Sequence, residues 1–267
     1  MTSSYEHVAE EKNIVESAEF FPAVVDNFFS EPDIIRKWVN DLPMQKTLEG
    51  QWPGYRSPPL HTIDSHFSTT LILKALSTYF NLRYENFKWE DSNVSFSVIE
   101  PYDTNKDSVK NQGWVHIDTN SDVAGVIYLT PNADPNSGTS LYKVKPEHEK
   151  NINYFTQYVE KKAFYGDGKI SDKEYIEALK TFNNKFEETI NVKNIYNRMI
   201  IYDSRTFHKA NNFCTGDQNR LSLVFFVKGL TIDKKPLSKI RDKENFDNSL
   251  YLRIRNFYEN IKSENRN

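Results

Sequence analysis

WVHIDTNSDVAGVIYLT, Trp114 to Thr130, reads as a strand, a turn and a second strand. Its second half, Val123–Leu129, is a nearly continuous apolar run, the pattern of a strand buried on both faces. His116 and Asp118 stand at i and i+2 in its first half. Side chains two apart in a strand share one face, so both can point into one space.

Working outward, the strand pattern recurs on either side. Phe87–Pro101 alternates around Phe96 and Val98, and Arg198–Asp203 and Leu221–Val227 are further apolar strands. Ile14–Phe29 reads as one or two strands broken at Pro22. Ser30-Glu31-Pro32-Asp33 predicts a helix start, with Ser30 as cap and Ile34, Ile35, Trp38, Val39 and Leu42 as the buried face. A second helix is expected over His66–Tyr79. Residues 146–190 change to helical spacing: Ile152, Phe155 and Val159 mark one helix, and Tyr175, Ile176, Leu179, Phe182, Phe186 and Ile190 another. Ser171-Asp172-Lys173-Glu174 is a capping box at the start of the second. A last amphipathic helix is expected at about 249–262. Residues 1–267 therefore read as one mainly β domain with flanking helices and a helical insertion at about 146–190. Strands split by a long helical insert argue against a parallel βαβ fold.

Composition sets outer bounds. The 267 residues are only 38% hydrophobic, with mean hydropathy −0.69, but 14% are aromatic. Large aromatic area per residue makes a packed core attainable. A net charge of −3 gives no basic field for a polynucleotide and favours a small-molecule or peptide partner. The single Cys214 excludes an intrachain disulfide framework and a cysteine-rich zinc site, and it suits a reducing, cytoplasmic compartment. The polar first residues carry no signal-peptide core, and no apolar run approaches the roughly 18 residues of a membrane span.

His208 lies just beyond the strand at 198–203. Two imidazoles and one carboxylate form the three-ligand face that holds iron(II) in non-haem oxygenases and leaves coordination positions open. A histidine–x–aspartate pair alone is weak, since either histidine could be a hydrogen-bonded core residue. Arg220, followed at i+2 by Ser222 on the last long strand, strengthens the reading. A guanidinium is a planar bidentate partner for a carboxylate, and a hydroxyl adds a further bond. A surface ion pair is the competing account of Arg220.

WVHIDTNSDVAGVIYLTP (114–131), NSGTSLYK (136–143) and YDSRTFHKANNFCTGDQNRLSLVFFV (202–227) resemble the 2-oxoglutarate/Fe(II)-dependent dioxygenase superfamily in its prolyl-hydroxylase-like branch. VVDNFFSEPDIIRKW (24–38) looks like the opening strand and helix of such proteins. The resemblance implies a double-stranded β-helix, a cupin-like jelly roll. It also implies iron(II) held by His116, Asp118 and His208, and 2-oxoglutarate as co-substrate, clamped by Arg220 with Ser222. Tyr102 stands where a co-substrate tyrosine often precedes the first histidine. The implied reaction is hydroxylation, consuming O2 and releasing succinate and CO2. The helical insertion and the single glycine, Gly138, depart from the prolyl-hydroxylase pattern where substrate choice is made. A non-catalytic jelly-roll metal- or ligand-binding protein, a decayed oxygenase, is the alternative.

Other signals carry less. Residues 167–174 copy half of a calcium loop, but Ala163 and Tyr165 fall where ligand oxygens are needed. His61 and His66 are five apart and miss the i, i+4 spacing of a helical metal pair. Trp52, Tyr55 and Arg56 in the WPGYRSPP loop, with Thr139 after Gly138, are candidates for the substrate mouth, Arg56 orienting a polar or anionic substrate. Arg253, Arg255, Phe257 and Tyr258 read as two faces of the terminal helix, which offers a homodimer contact.

Overall fold

The computed structural model describes residues 18–46, 50–150, 152, 156–167, 169–241 and 255. The strands are β1 (Ala23–Val25), β2 (Gln45–Lys46), β3 (Tyr55–Arg56), β4 (Phe87–Lys88), β5 (Asp91–Ile99) and β6 (Val123–Tyr128), then β7 (Thr139–Val144), β8 (Phe186–Val192), β9 (Met199–Asp203), β10 (Phe207–Ala210), β11 (Arg220–Lys228) and β12 (Thr231–Ile232). The helices are α1 (Pro32–Trp38), α2 (Ser65–Leu76), α3 (Thr156–Lys161), α4 (Asp172–Asn183) and α5 (Pro236–Arg241). A seven-stranded sheet runs β1-β9-β6-β11-β5-β3-β2 and a three-stranded sheet β10-β7-β8, with antiparallel pairing throughout. The two sheets form the jelly roll that the sequence led us to expect.

Alternation along β11 explains both layers. Leu223, Phe225 and Val227 face one way and join Phe96, Ile127 and α2 residues Leu71, Ile72 and Leu76 in the largest core. Arg220, Ser222, Val224 and Phe226 face the other way, into the space between the sheets. There Ala124, Tyr128, Ile200 and Tyr202 of the large sheet pack on Leu141 and Val192 of the small one. Gly138 sets how closely the small sheet can be approached. A methyl group there would collide with the Val192 carbonyl oxygen, which belongs to rigid backbone. Gly138→Ala is expected to destabilise by about 1–3 kcal/mol, the usual cost of overpacking. A lower urea midpoint at unchanged slope would register it.

Several expectations need correction. The helical reading of the insertion runs too far: α4 ends at Asn183, and Phe186 and Ile190 belong to β8, paired with β7. The first half of Trp114–Thr130 is no regular strand but a single bridge between His116 and His208. Helix α1 is preceded by Glu31 with no side-chain cap, so Ser30 does not cap it. Ile34 is exposed, while Ile35, Trp38, Val39 and Leu42 pack on the core. The α4 capping box forms as expected: Ser171 Oγ accepts from the Glu174 N–H, and the Glu174 carboxylate accepts from the Ser171 N–H. Residues 1–17 and, apart from Arg255, the terminal helix at 249–262 lie outside the described residues. Among the described residues no helix is long and apolar enough to cross a membrane.

Candidate metal centre

His116 and His208 meet across the bridge as a hydrogen-bonded pair. Each N–H donates to the other's carbonyl at 2.9 Å. This places the two rings side by side, with centroids 4.3 Å apart. The Asp118 N–H donates to the Ser204 carbonyl at 2.8 Å, which holds the segment beyond the bridge and returns the carboxylate to the same face. One ligand atom from each of His116, Asp118 and His208 lies within 4.8 Å of the others. His208 Nε2 is 3.3 Å and His116 Nε2 3.9 Å from the carboxylate oxygens. No other such group of histidine, cysteine or acidic residues occurs among the described residues.

The surroundings prepare these atoms for a cation. His116 Nδ1 is 2.9 Å from the Trp114 carbonyl and His208 Nδ1 2.9 Å from the Thr206 carbonyl. The contacts with those carbonyls engage each Nδ1 and turn Nε2 toward the Asp118 carboxylate, the outer support that ligating imidazoles use. Burial, then the nearby charges of Lys161 and His208, hold the His116 imidazolium well below its ordinary range, so the ring is neutral at pH 7. Burial alone would push the Asp118 carboxyl up. The charges of His208, His116 and Arg56, with the His208 hydrogen bond, outweigh it and hold the group at about 2. Neutral imidazoles and an ionised carboxylate are the forms that bind metal.

The triad opens on a cavity of about 590 Å³ between the sheets, also lined by Trp52, Arg56, Thr139, Lys161, Arg220 and Ser222. Arg220 is only 4% exposed. Its Nε donates to the Ser137 carbonyl at 3.2 Å, and its guanidinium lies 5.7 Å from the Tyr128 ring. It has no carboxylate partner among the described residues, which excludes the surface ion pair. Ser222 Oγ is buried without a hydrogen-bond partner. A buried cation beside an unsatisfied hydroxyl is costly unless a ligand answers both. The donors therefore suit a carboxylate.

Arg56 and Trp52, expected on a loop, flank the same cavity. Arg56 sits on β3, paired to Ser97 of β5, with its guanidinium 4.5 Å from the centre of the Trp52 ring. Tyr102 is placed elsewhere. It packs on Phe164, Tyr165 and Phe213, its hydroxyl accepts from the Gly54 N–H at 3.2 Å, and it does not line the cavity. His61 and His66 are exposed and outside it.

Sequence reasoning missed Lys161. It is the last residue of α3, where the helix widens into a π-helical turn, Lys162–Asp167. Such turns concentrate at functional sites. Gly50 (φ +63°) lets this turn dock, because a Cβ there would stand 2.6 Å from Lys162 Cα. Burial lowers the Lys161 ammonium to about 8, against the pull of Asp118.

A family model described as a family of unknown function (DUF6445) matches residues 9–215. No curated protein matches the sequence. Among solved structures, HygX from Streptomyces hygroscopicus, crystallised with nickel, 2-oxoglutarate and hygromycin B, is similar at 13% identity and a TM-score of 0.44, covering 81% of this chain and 86% of that one. A Pseudomonas putida prolyl-4-hydroxylase gives 12% identity and a TM-score of 0.39, covering 83% and 98%. EvdO2 from Micromonospora carbonacea var. aurantiaca gives 12% and 0.42, covering 85% and 94%.

Proposed function

We propose that this chain, which belongs to the family of unknown function DUF6445, is an iron(II)- and 2-oxoglutarate-dependent dioxygenase that hydroxylates a small molecule or peptide side chain. One observation carries the reading: a three-ligand group and a buried, carboxylate-free Arg220 with Ser222 face the same cavity. His116, Asp118 and His208 would hold the metal through Nε2 atoms and a carboxylate oxygen. Arg220 and Ser222 would take the distal carboxylate of 2-oxoglutarate, fixing its direction by charge-assisted hydrogen bonds. Iron(II), when bound with 2-oxoglutarate, supplies the redox chemistry that couples its decarboxylation to oxidation of the substrate. The chain contributes orientation and water exclusion, the latter from Trp52, Tyr165 and Phe226 on the cavity wall.

The purified chain with iron(II), a reductant, O2 and 2-oxoglutarate is expected to form succinate slowly without added substrate. Purified protein is expected to carry nickel, cobalt or zinc, which bind more tightly than iron(II), or manganese where supply favours it. Turnover should return with iron(II) alone. Substrate turnover supported by redox-inert zinc would replace the oxygenase reading by a hydrolase, and tight binding of both groups with no succinate would favour the decayed oxygenase.

A further inference from the structure

The cavity carries more positive charge than this reaction uses. Its charged lining consists of Arg56, Lys161, Arg220, Lys228, Asp91 and Asp118. Asp91 and Lys228 are register partners in the β5–β11 ladder and offset one another. Asp118 is then left against three cations. A divalent metal with a dianionic co-substrate is neutral as a pair and leaves that excess of two charges in place. Once Arg220 has answered the co-substrate and Asp118 the metal, Arg56 and Lys161 remain unanswered.

Among the described residues neither has an ion-pair partner, and the one carboxylate that acts on both is Asp118. Arg56 rests on Trp52, with Phe226 5.9 Å away, and its buried Nε has no hydrogen-bond partner. Lys161 has neither ion pair nor hydrogen bond among the described residues. Two half-buried cations over one cavity, in a chain whose net charge is −3, focus anions toward that opening.

We infer that the substrate of this cavity is a small dianion, a phosphate ester or a dicarboxylate, held by Arg56 and Lys161. The inference deepens the oxygenase reading by naming its substrate class. Arg56 comes from the sheet and Lys161 from the insertion, so binding would bridge the two and fix the insertion over the site.

Isothermal titration calorimetry of the full chain loaded with manganese(II) and saturating 2-oxoglutarate tests it, with inorganic phosphate and succinate as separate probes and glucose as neutral control. At least one dianion is expected to bind saturably, and glucose not at all. Phosphate binding alone identifies the phosphate-ester class, and succinate binding alone the dicarboxylate class. Arg56→Gln and Lys161→Gln should each weaken the dianion at least about tenfold, the loss of one charge-assisted contact. Lys161→Arg should retain most of the affinity. All three should keep wild-type 2-oxoglutarate affinity, which certifies their fold. No saturable dianion binding, or wild-type affinity in either glutamine variant, overturns the proposal. Titrations on protein without metal and co-substrate separate the two readings. There, phosphate lost in Arg220→Gln but kept in Arg56→Gln and Lys161→Gln assigns the anion to Arg220 and sinks the proposal. Failure of 2-oxoglutarate to bind sinks the oxygenase reading alone.

Discussion

The Asp118→Ala protein is expected to lose iron(II) and all turnover while remaining folded. The carboxylate sits between the two imidazoles, 3.3 and 3.9 Å from their Nε2 atoms, and is the only anionic member of the group. Removing a group that merely orients a ligand costs roughly 10–100-fold in metal affinity, and losing a ligand outright should exceed that. The change also has a signature in the metal-free protein. The Asp118 carboxyl is held at about 2, below the ordinary 3.8, by the charges around it. A depressed carboxyl contributes stability above its unfolded value, and this is lost as pH falls through its folded value. Metal-free Asp118→Ala should therefore be less stable than the wild type at pH 7, the gap closing as pH falls from about 4 toward 2. Urea midpoints across that range measure it. Wild-type iron affinity in Asp118→Ala would remove the metal site, and a gap independent of pH would contradict the electrostatics.

Arg220→Ala should weaken 2-oxoglutarate on the order of 2–5 kcal/mol, roughly 30-fold to several thousand-fold, without moving iron affinity. Lysine should restore only part, because a point charge cannot reproduce the planar two-pronged contact. A companion variant separates binding from packing. Among the described residues the buried Arg220 guanidinium has one hydrogen bond, to the Ser137 carbonyl, and no carboxylate partner. Arg220→Met should thus make the protein more stable when free of co-substrate, since an uncompensated buried charge is removed. It should also abolish the stabilisation that 2-oxoglutarate gives the wild type, about 2.7 kcal/mol at a hundredfold excess over its dissociation constant. Unchanged co-substrate affinity in Arg220→Ala would cancel the assignment and leave the metal site standing.

The central strands were legible because they are buried on both faces. Val123–Tyr128, Met199–Asp203 and Arg220–Lys228 are almost wholly apolar on their core side, and their shortness and β-branched residues set them apart from buried helices. The i, i+2 spacings of His116 with Asp118 and Arg220 with Ser222 could be read for the same reason. β8 was not legible. It lies at the edge of the small sheet, its middle residues are exposed, and Phe186 and Ile190 continue the helical spacing of α4. Lys161 was hidden among the charges of a Glu-Lys-Lys run that reads as a solvated helix face. Only the π-helical turn and the docking on Gly50 bring it over the cavity. Tyr102 shows the converse: it stood near the expected position before the first histidine, yet the insertion's aromatic residues claimed it for packing.

The place of β11 has a consequence for how the molecule is born. Among the described residues this strand is the last long one in chain order, yet it lies in the middle of the large sheet, between β5 and β6. Until it emerges, those two strands keep an open slot between them, with unpaired backbone and the apolar side chains of Phe96 and Ile127 on its margins. Such margins invite pairing with other chains, and ladders between segments so far apart in sequence close slowly. A nascent chain cut before Arg220 would already carry His116, Asp118 and His208 but lack the strand that joins the two halves of their scaffold. Metal capture would then report that β11 has been added, and chaperone demand should peak just before that strand is released.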